Sequence, residues 1–360
     1  MKTVRVELGN RSYPIYVGEG LLVRVGELTR QHLPGRRLMV ISNSTVTGLY
    51  GEFLKRNLEA AGWKVLWAEM LDGEEHKNLA TVSRLYDLAV EGGLERGDAI
   101  LAFGGGVVGD VAGFVAATFM RGIAWGQVPT TLLAQVDASV GGKVGVNHPK
   151  GKNLIGAFHQ PRLVVADVAT LRSLPRREIA SGMAEVVKYG VIRSASFFAW
   201  LEENVEELLS LVPEALTHAV ATSCRIKAEV VAADERESGL RAILNFGHTV
   251  GHALEAMTDY TRFTHGEAVA IGMVVASRLA RHLGLGFTAE EEERLVNLLE
   301  AIGLPTSLPP GTDPRELLLF MQRDKKVKEG KLTFVLPRRI GEVEVVREVP
   351  QEILLEVLSA

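Results

Sequence analysis

The chain has 360 residues, enough for two domains with separate cores, and its 47% hydrophobic and 23% charged content is that of a soluble globular protein. A formal net charge of −4 leaves no overall electrostatic footprint for nucleic acid or an anionic membrane, so an anionic ligand has to be held by local positive charge. Cys224 is the single cysteine, which excludes an internal disulfide framework and a cysteine-based zinc cluster, so metal ligands must be His, Asp or Glu.

The amino terminus alternates polar and apolar residues like a strand and lacks the apolar core of a signal peptide, which with the lone cysteine points to the cytoplasm. Residues 4–8 and 13–17 read as a hairpin; 37–41, 65–68, 99–103 and 124–128 read as strands; 45–61 and 78–91 carry apolar residues at helical spacing. This βαβ alternation predicts a doubly wound parallel sheet with a nucleotide site at the carboxyl ends of its strands. Residues 99–120 carry Asp110 as their only charge, but Gly104-Gly105-Gly106 inside them favours a strand, a tight turn and a buried helix over a membrane span. Beyond a further strand at 162–166 the pattern turns helical, over 179–189, 195–209, 213–233, 240–257, 267–283 and 289–302. Two short strands, 332–336 and 343–346, precede a last helix. The α/β chain therefore divides into an N-terminal domain, 1–172, and a mainly α-helical domain, 173–360.

Gly104, Gly106 and Gly109 satisfy G-x-G-x-x-G between a strand and a helix, where absent side chains let backbone approach a pyrophosphate. Tight packing alone would call for the same glycines, and the motif falls late for a first βα turn. A long polar and glycine-rich connection follows the strand at 124–128 and runs to Pro161, and such loops usually bind something. Its Lys143, Lys150 and Lys152 offer positive charge to a phosphate or carboxylate.

Three of the nine histidines fall in Asn245-Phe246-Gly247-His248-Thr249-Val250-Gly251-His252 and the nearby His265-Gly266-Glu267. On a helix His248 and His252 share a face, as a metal pair or a proton relay would require. Thr249 stands where the His-Glu-x-x-His of a metalloprotease needs its Glu, which makes that reading a weak one, while satisfied core histidines remain the bland alternative. Glu185 and Lys188 lie three apart on one helical face, the spacing of an ordinary ion pair.

Taken together, these runs, with Gly182–Lys188, Lys227–Glu255 and Asp324–Lys326, resemble the 3-dehydroquinate synthase family of sugar-phosphate cyclases, which is related in fold to glycerol and metal-dependent alcohol dehydrogenases. The resemblance implies conversion of 3-deoxy-D-arabino-heptulosonate 7-phosphate to 3-dehydroquinate and phosphate. The steps would be transient oxidation at C5 by bound NAD, phosphate elimination, re-reduction, ring opening and aldol closure. It implies a lyase with catalytic NAD and Zn²⁺ or Co²⁺, an N-terminal NAD-binding domain, a second domain for metal and substrate, an active site in the cleft between them, and a homodimer.

By the same resemblance the metal ligands are Glu185, His248 and His265, and His252 becomes a proton shuttle. Asp137, Lys143, Asn153, Lys188, Lys227, Arg241, Asn245 and Lys326 would line the substrate pocket, with Arg121 adding phosphate contacts from its own domain or a second subunit. NAD would meet Asp72, Gly73, Glu74, Glu75, His76 and Lys77 at the adenosine, and Gly105, Gly106, Val107, Gly109 and Asp110 at the pyrophosphate. Thr130 and Thr131 would lie near the ribose or nicotinamide, with Lys143, Lys152, Thr170, Leu171, Arg172 and Ser173 completing the site. Thr170 stands where many members have Phe, and Arg172 where many have Lys. Rivals are another cyclase, such as 2-deoxy-scyllo-inosose synthase, and a net polyol dehydrogenase.

Overall fold

The computed structural model describes residues 1–237, 239–323 and 332–359. The chain forms two compact units, Met1–Leu174 with Pro213–Ala232, and Pro175–Val212 with Ala233–Ala360. The helix Pro213–Ala233, read from sequence with the second half, thus belongs by its contacts to the first unit.

In the first unit, β1 (Lys2–Val6) and β2 (Tyr13–Gly18) form the antiparallel edge of a seven-stranded sheet. The other strands are β3 (Arg37–Asn43), β4 (Lys64–Met70), β5 (Ala99–Gly104), β6 (Ala124–Pro129) and β9 (Val164–Asp167), in the order β1-β2-β9-β6-β5-β3-β4. From β2 onward every pairing is parallel. Side chains alternate across the pleat. Met39, Ile41, Ile100 and Ala102 therefore share one core with the helices Leu79–Glu91 and Gly106–Thr118. Leu38, Val40, Ala99, Leu101 and Phe103 share another with Val25–His32 and Glu52–Ala60. The helices that follow β3 and β5 thus cover opposite faces. The strand order reverses between β3 and β5, the switch point at which such sheets bind ligands.

The connection read as a long polar loop is structured. A turn of helix over Ala134–Ala138 leads into an antiparallel hairpin, β7 (Lys143–His148) and β8 (Gly151–Phe158), in which Val144 faces Ala157 and Val146 faces Ile155. Val144 and Val146 point into the core over Gly113, where an added Cβ would meet Val144 at 2.3 Å. The alternation Val144-Gly145-Val146 was the strand signal, hidden by surrounding lysine, asparagine and glycine.

Cys224 and Lys227 fasten the helix Pro213–Ala233 to the first unit. The Cys224 thiol donates to the Gln135 carbonyl at 3.1 Å, and Lys227 Nζ donates to the Asp137 carbonyl at 2.6 Å and to its Oδ1 at 2.9 Å. Burial pushes the Cys224 thiol up to about 12. Cys224 is therefore expected to resist a thiol-specific chromogenic reagent at pH 8 in the native protein and to react fully once the chain is unfolded; rapid labelling of folded protein would contradict its placement.

The second unit is built on the helix Arg176–Arg193, buried from Ser181 through Ile192, with the charged Glu185 and Lys188 among its buried side chains. Around it lie Ala195–Leu209, His248–Met257, His265–His282, Ala289–Ile302, Pro314–Arg323 and Gln351–Ser359, with the antiparallel hairpin β10 (Thr333–Arg339) and β11 (Glu342–Arg347). The segment 240–257, read as one helix, is broken. A 3₁₀ stretch Leu240–Asn245 ends before Gly247, whose φ of +80° only glycine adopts at low cost, and the α-helix starts at His248. Among the described residues no helix is long and apolar enough to cross a membrane. Residues 99–120 instead form β5 and the buried helix Gly106–Thr118.

Candidate active site

The second unit holds a cluster made by close helix contacts. A Cβ on Gly266 would fall 2.0 Å from the Ser181 carbonyl, and one on Gly272 would fall 1.9 Å from the Gly247 carbonyl. Only glycine at both positions lets the helix His265–His282 lie against Arg176–Arg193 and the start of His248–Met257 at once. The result is convergence of Glu185, His248 and His265, whose ligand atoms all lie within 4.8 Å of one another. Glu185 Oε1 is 3.5 Å from Nε2 of each histidine. Glu185 is 0% and Lys188 1% exposed, and the Lys188 ammonium pairs with Glu185 Oε2.

His248 Nδ1 lies 3.0 Å from the Phe246 carbonyl, which can only accept, so Nδ1 carries the proton and the Nε2 lone pair faces Glu185. His252 stands beside them, its ring 5.3 Å from that of His248 and 6.1 Å from that of His265. Burial alone would lower the His265 pKa, but hydrogen bonds with Glu185 and Glu255 outweigh it and raise the group to about 10. The pocket therefore favours a cation: one carboxylate and two imidazole nitrogens are the donor set of an open catalytic zinc site, and a proton occupies His265 where no metal does. The residues fit a divalent cation.

Glu267, the last residue of the His-Gly-Glu run, is structural. It forms a capping box with Thr264 and accepts two 2.7 Å hydrogen bonds from Arg177, fixing the helix end that carries His265. The signature Thr264-x-x-Glu267 was present in the sequence. Partial burial works against the Glu267 charge, but Arg177 and Thr264 overcome it and hold the carboxyl below its ordinary value. A depressed carboxylate contributes stability that is full above its unfolded pKa near 4.5 and is lost as the pH falls through the folded value. Glu267→Gln is expected to cost about 1 kcal/mol at pH 7 and to flatten this acid limb, measured by urea unfolding from pH 7 to 3; an unchanged limb would remove Glu267 from this role.

In the first unit, Gly104 pairs with Pro129, which sets Gly105 and Gly106 beside Thr130 and Thr131 at the carboxyl ends of β5 and β6. The Thr130 nitrogen donates to the Gly104 carbonyl at 3.0 Å, and a Cβ on Gly105 would come within 3.0 Å of the Thr131 methyl. The helix Gly106–Thr118 begins there with bare backbone N–H groups, and its first turns carry Val107, Gly109 and Asp110. Lys77, 5% exposed, reaches Asp110 at 2.5 Å and offsets a carboxylate that would otherwise repel an anion at that helix end. Asp72 accepts from the Ser44 and Thr45 hydroxyls at 2.8 and 2.9 Å, Glu74 from the Asn147 amide at 2.8 Å, and His76 lies 3.8 Å from Glu75; Gly73 between them has φ of +109°. These glycines and N–H groups fit a dinucleotide pyrophosphate.

The turn Thr170, Leu171, Arg172 and Ser173 is committed largely to the protein itself. Thr170 and Leu171 are buried, the Thr170 hydroxyl donates to the Asp167 carbonyl at 2.8 Å, Arg172 meets Glu19 at 2.5 Å, and Ser173 accepts from Tyr50 at 2.9 Å. The substrate set is divided between the units: Asp137, Lys143, Asn153, Lys227 and Arg121 in the first, Lys188, Arg241, Asn245 and His252 in the second; Lys152, of the NAD set, is in the first. Arg121 follows Met120 in a consecutive pair of left-handed non-glycine residues, with φ of 68° and 48°, a strain of roughly 1–3 kcal/mol each. Asn153, φ 55°, donates its backbone N–H to Asn147 at 2.8 Å. Arg241 is 2% exposed and donates to the Glu235 carbonyl at 2.5 Å, while the Asn245 amide donates to Glu237 at 3.0 Å. Lys326 lies outside the described residues.

With this geometry in place, comparison with known proteins is decisive. The sequence matches the 3-dehydroquinate synthase N-terminal family over residues 67–181 and the C-terminal family over 182–327. The chain belongs to the 3-dehydroquinate synthase family. A 3-dehydroquinate synthase of Pelotomaculum thermopropionicum is 59% identical over all of this chain and 97% of its own length. Among solved structures, a 2-deoxy-scyllo-inosose synthase complexed with carbaglucose-6-phosphate, NAD⁺ and Co²⁺ is 30% identical, with a TM-score of 0.90 over 99% of each chain. A 2-epi-5-epi-valiolone synthase from Streptomyces hygroscopicus with NAD⁺ and Zn²⁺ bound is 29% identical, with a TM-score of 0.88 over 98% of this chain and 96% of its own. The 3-dehydroquinate synthase family thus shares its fold with other sugar-phosphate cyclases, as the motif pattern implied.

Proposed function

We propose that the protein is a 3-dehydroquinate synthase, a phosphate-eliminating lyase acting on 3-deoxy-D-arabino-heptulosonate 7-phosphate. The observation that carries this reading is the convergence of Glu185, His248 and His265 in a chain 59% identical to a 3-dehydroquinate synthase over its whole length. Glu185, His248 and His265 would hold a divalent cation, and Gly105 to Asp110 with Thr130 and Thr131 would hold NAD; when bound, the one supplies a Lewis acid and the other a reversible hydride acceptor. A ketone at C5 makes the neighbouring C6 proton acidic, and its loss expels phosphate. The substrate's own phosphate can take that proton, so the chain need not supply a base for the elimination.

The remaining side chains bind and move protons. Lys227, fixed by Asp137, and Lys143 and Arg121 supply the local cations that an acidic protein needs for a substrate with carboxylate and phosphate. Arg241, Asn245 and Lys188 orient hydroxyls, and His252 carries a proton beside the ligand cluster. The same reading makes the enzyme a cytoplasmic homodimer.

The test is to supply the heptulosonate phosphate with NAD⁺ and Zn²⁺ and identify the product by NMR. Stoichiometric phosphate release, 3-dehydroquinate and no lasting absorbance at the NADH band are expected. Turnover of glucose 6-phosphate to an inosose would instead favour the neighbouring cyclase activity, and accumulation of NADH a net dehydrogenase.

A further inference from the structure

His248, His252 and Glu255 stand at i, i+4 and i+7 of the helix His248–Met257, one above another on the same face. Glu255 is 8% exposed, and a carboxylate buried to that degree needs a partner. Its Oε2 lies 3.4 Å from Nδ1 of His265, while Nε2 of the same ring lies 3.5 Å from Glu185 Oε1. A neutral imidazole has one N–H and one lone pair. If the proton sits on Nδ1 and is donated to Glu255, the lone pair of Nε2 is aimed at Glu185. His248 shows the same arrangement with a different acceptor, its Nδ1 on the Phe246 carbonyl and its Nε2 toward Glu185. Both rings then present Nε2 to one carboxylate oxygen, 3.5 Å from each.

We infer that Glu255 is a positioning residue that accepts the Nδ1 proton of His265, fixes its tautomer and ring orientation, and raises its basicity toward a bound cation. The inference rests on the metal-site reading above. A competing arrangement is visible: ligand atoms of His252, Glu255 and His265 also lie within 4.8 Å of one another and could form a cation site of their own. That arrangement would make Glu255 a ligand, engage His265 through Nδ1 and require a second ion per chain. The monodentate reach of Glu255 to Nδ1 and the facing of Nε2 toward the wholly buried Glu185 favour the positioning role.

The test uses the full chain, stripped of metal and titrated with Zn²⁺ against a chromophoric chelator, with the visible spectrum of the Co²⁺-loaded protein as a second readout. Wild type is expected to take up one ion. Glu255→Ala should bind Zn²⁺ about 10–100-fold more weakly and shift the Co²⁺ bands, since loss of such a partner acts through ligand basicity. Glu255→Gln, whose amide oxygen can accept the same N–H but whose lack of charge forfeits the gain in basicity, should bind with an affinity between those of wild type and Glu255→Ala. Glu255→Ala with wild-type affinity and spectrum would overturn the inference, as would Glu255→Gln binding as weakly as Glu255→Ala, or a wild type that binds two ions and loses one in both variants. Wild type that takes up no metal would instead sink the metal-site reading itself, and this inference with it.

Discussion

Glu185→Gln should reduce phosphate release by roughly three orders of magnitude and lower zinc content in step. The carboxylate is the only anionic member of the cluster and lies equidistant from both imidazole Nε2 atoms, so its amide supplies neither the charge nor an equivalent donor. The Lewis-acid contribution of such a site amounts to several kcal/mol, about a factor of ten in rate for each 1.4 kcal/mol. Glutamine is the informative substitution because it keeps the side-chain volume. Both substitutions remove the counter-charge of the Lys188 ammonium, 1% exposed, but the Gln amide oxygen can still accept its hydrogen bond, whereas Glu185→Ala leaves neither charge nor acceptor, at a cost of about 3–5 kcal/mol in stability, and activity loss could then reflect unfolding. Zinc by atomic absorption, phosphate release and a thermal melt on the same preparation separate the two effects. Full activity in Glu185→Gln, or in thoroughly metal-stripped wild type, would refute the metal assignment.

His248→Ala and His252→Ala are expected to differ in kind. His248 turns Nε2 toward Glu185 and anchors its other nitrogen on the Phe246 carbonyl, so its loss should remove both metal and turnover. His252 is absent from the Glu185 cluster; its loss should leave metal uptake intact and lower the rate by about 10²–10⁴, the range of a lost proton-transfer group. The second group of His252, Glu255 and His265 makes this comparison informative. Loss of zinc in both variants would mean that the pair four residues apart on one helix is the ligand set, and that Glu185 serves only as a charged neighbour.

The parallel sheet was legible in the sequence because β3 and β5 carry uninterrupted apolar runs bounded by turn residues, and a strand buried on both faces has no other pattern. The hairpin β7–β8 was not, since its inward Val144 and Val146 are two signals among many polar residues, and pairing with Ala157 and Ile155 is a non-local contact. The break at Gly247 also escaped: helical spacing continues through the segment, and the left-handed backbone there is imposed by the neighbouring helix at Gly272.

Residue identity and spacing by themselves determined the fold class, the exclusion of cysteine as a ligand, and the sharing of one helical face by His248 and His252. Family membership followed from motifs scattered along the chain. Spacing left His248 and His252 as a pair, the resemblance implied His248 and His265 with Glu185, and the convergence of those three side chains is a matter of tertiary structure. Glu185 lies on a helix far upstream, and what brings it to His248 and His265 is the near-contact of backbones at Gly266 and Gly272, a packing fact that no local periodicity encodes. Likewise Lys227 falls on a helix that the sequence groups with the second half, and only its seat on Asp137 places that helix with the first unit.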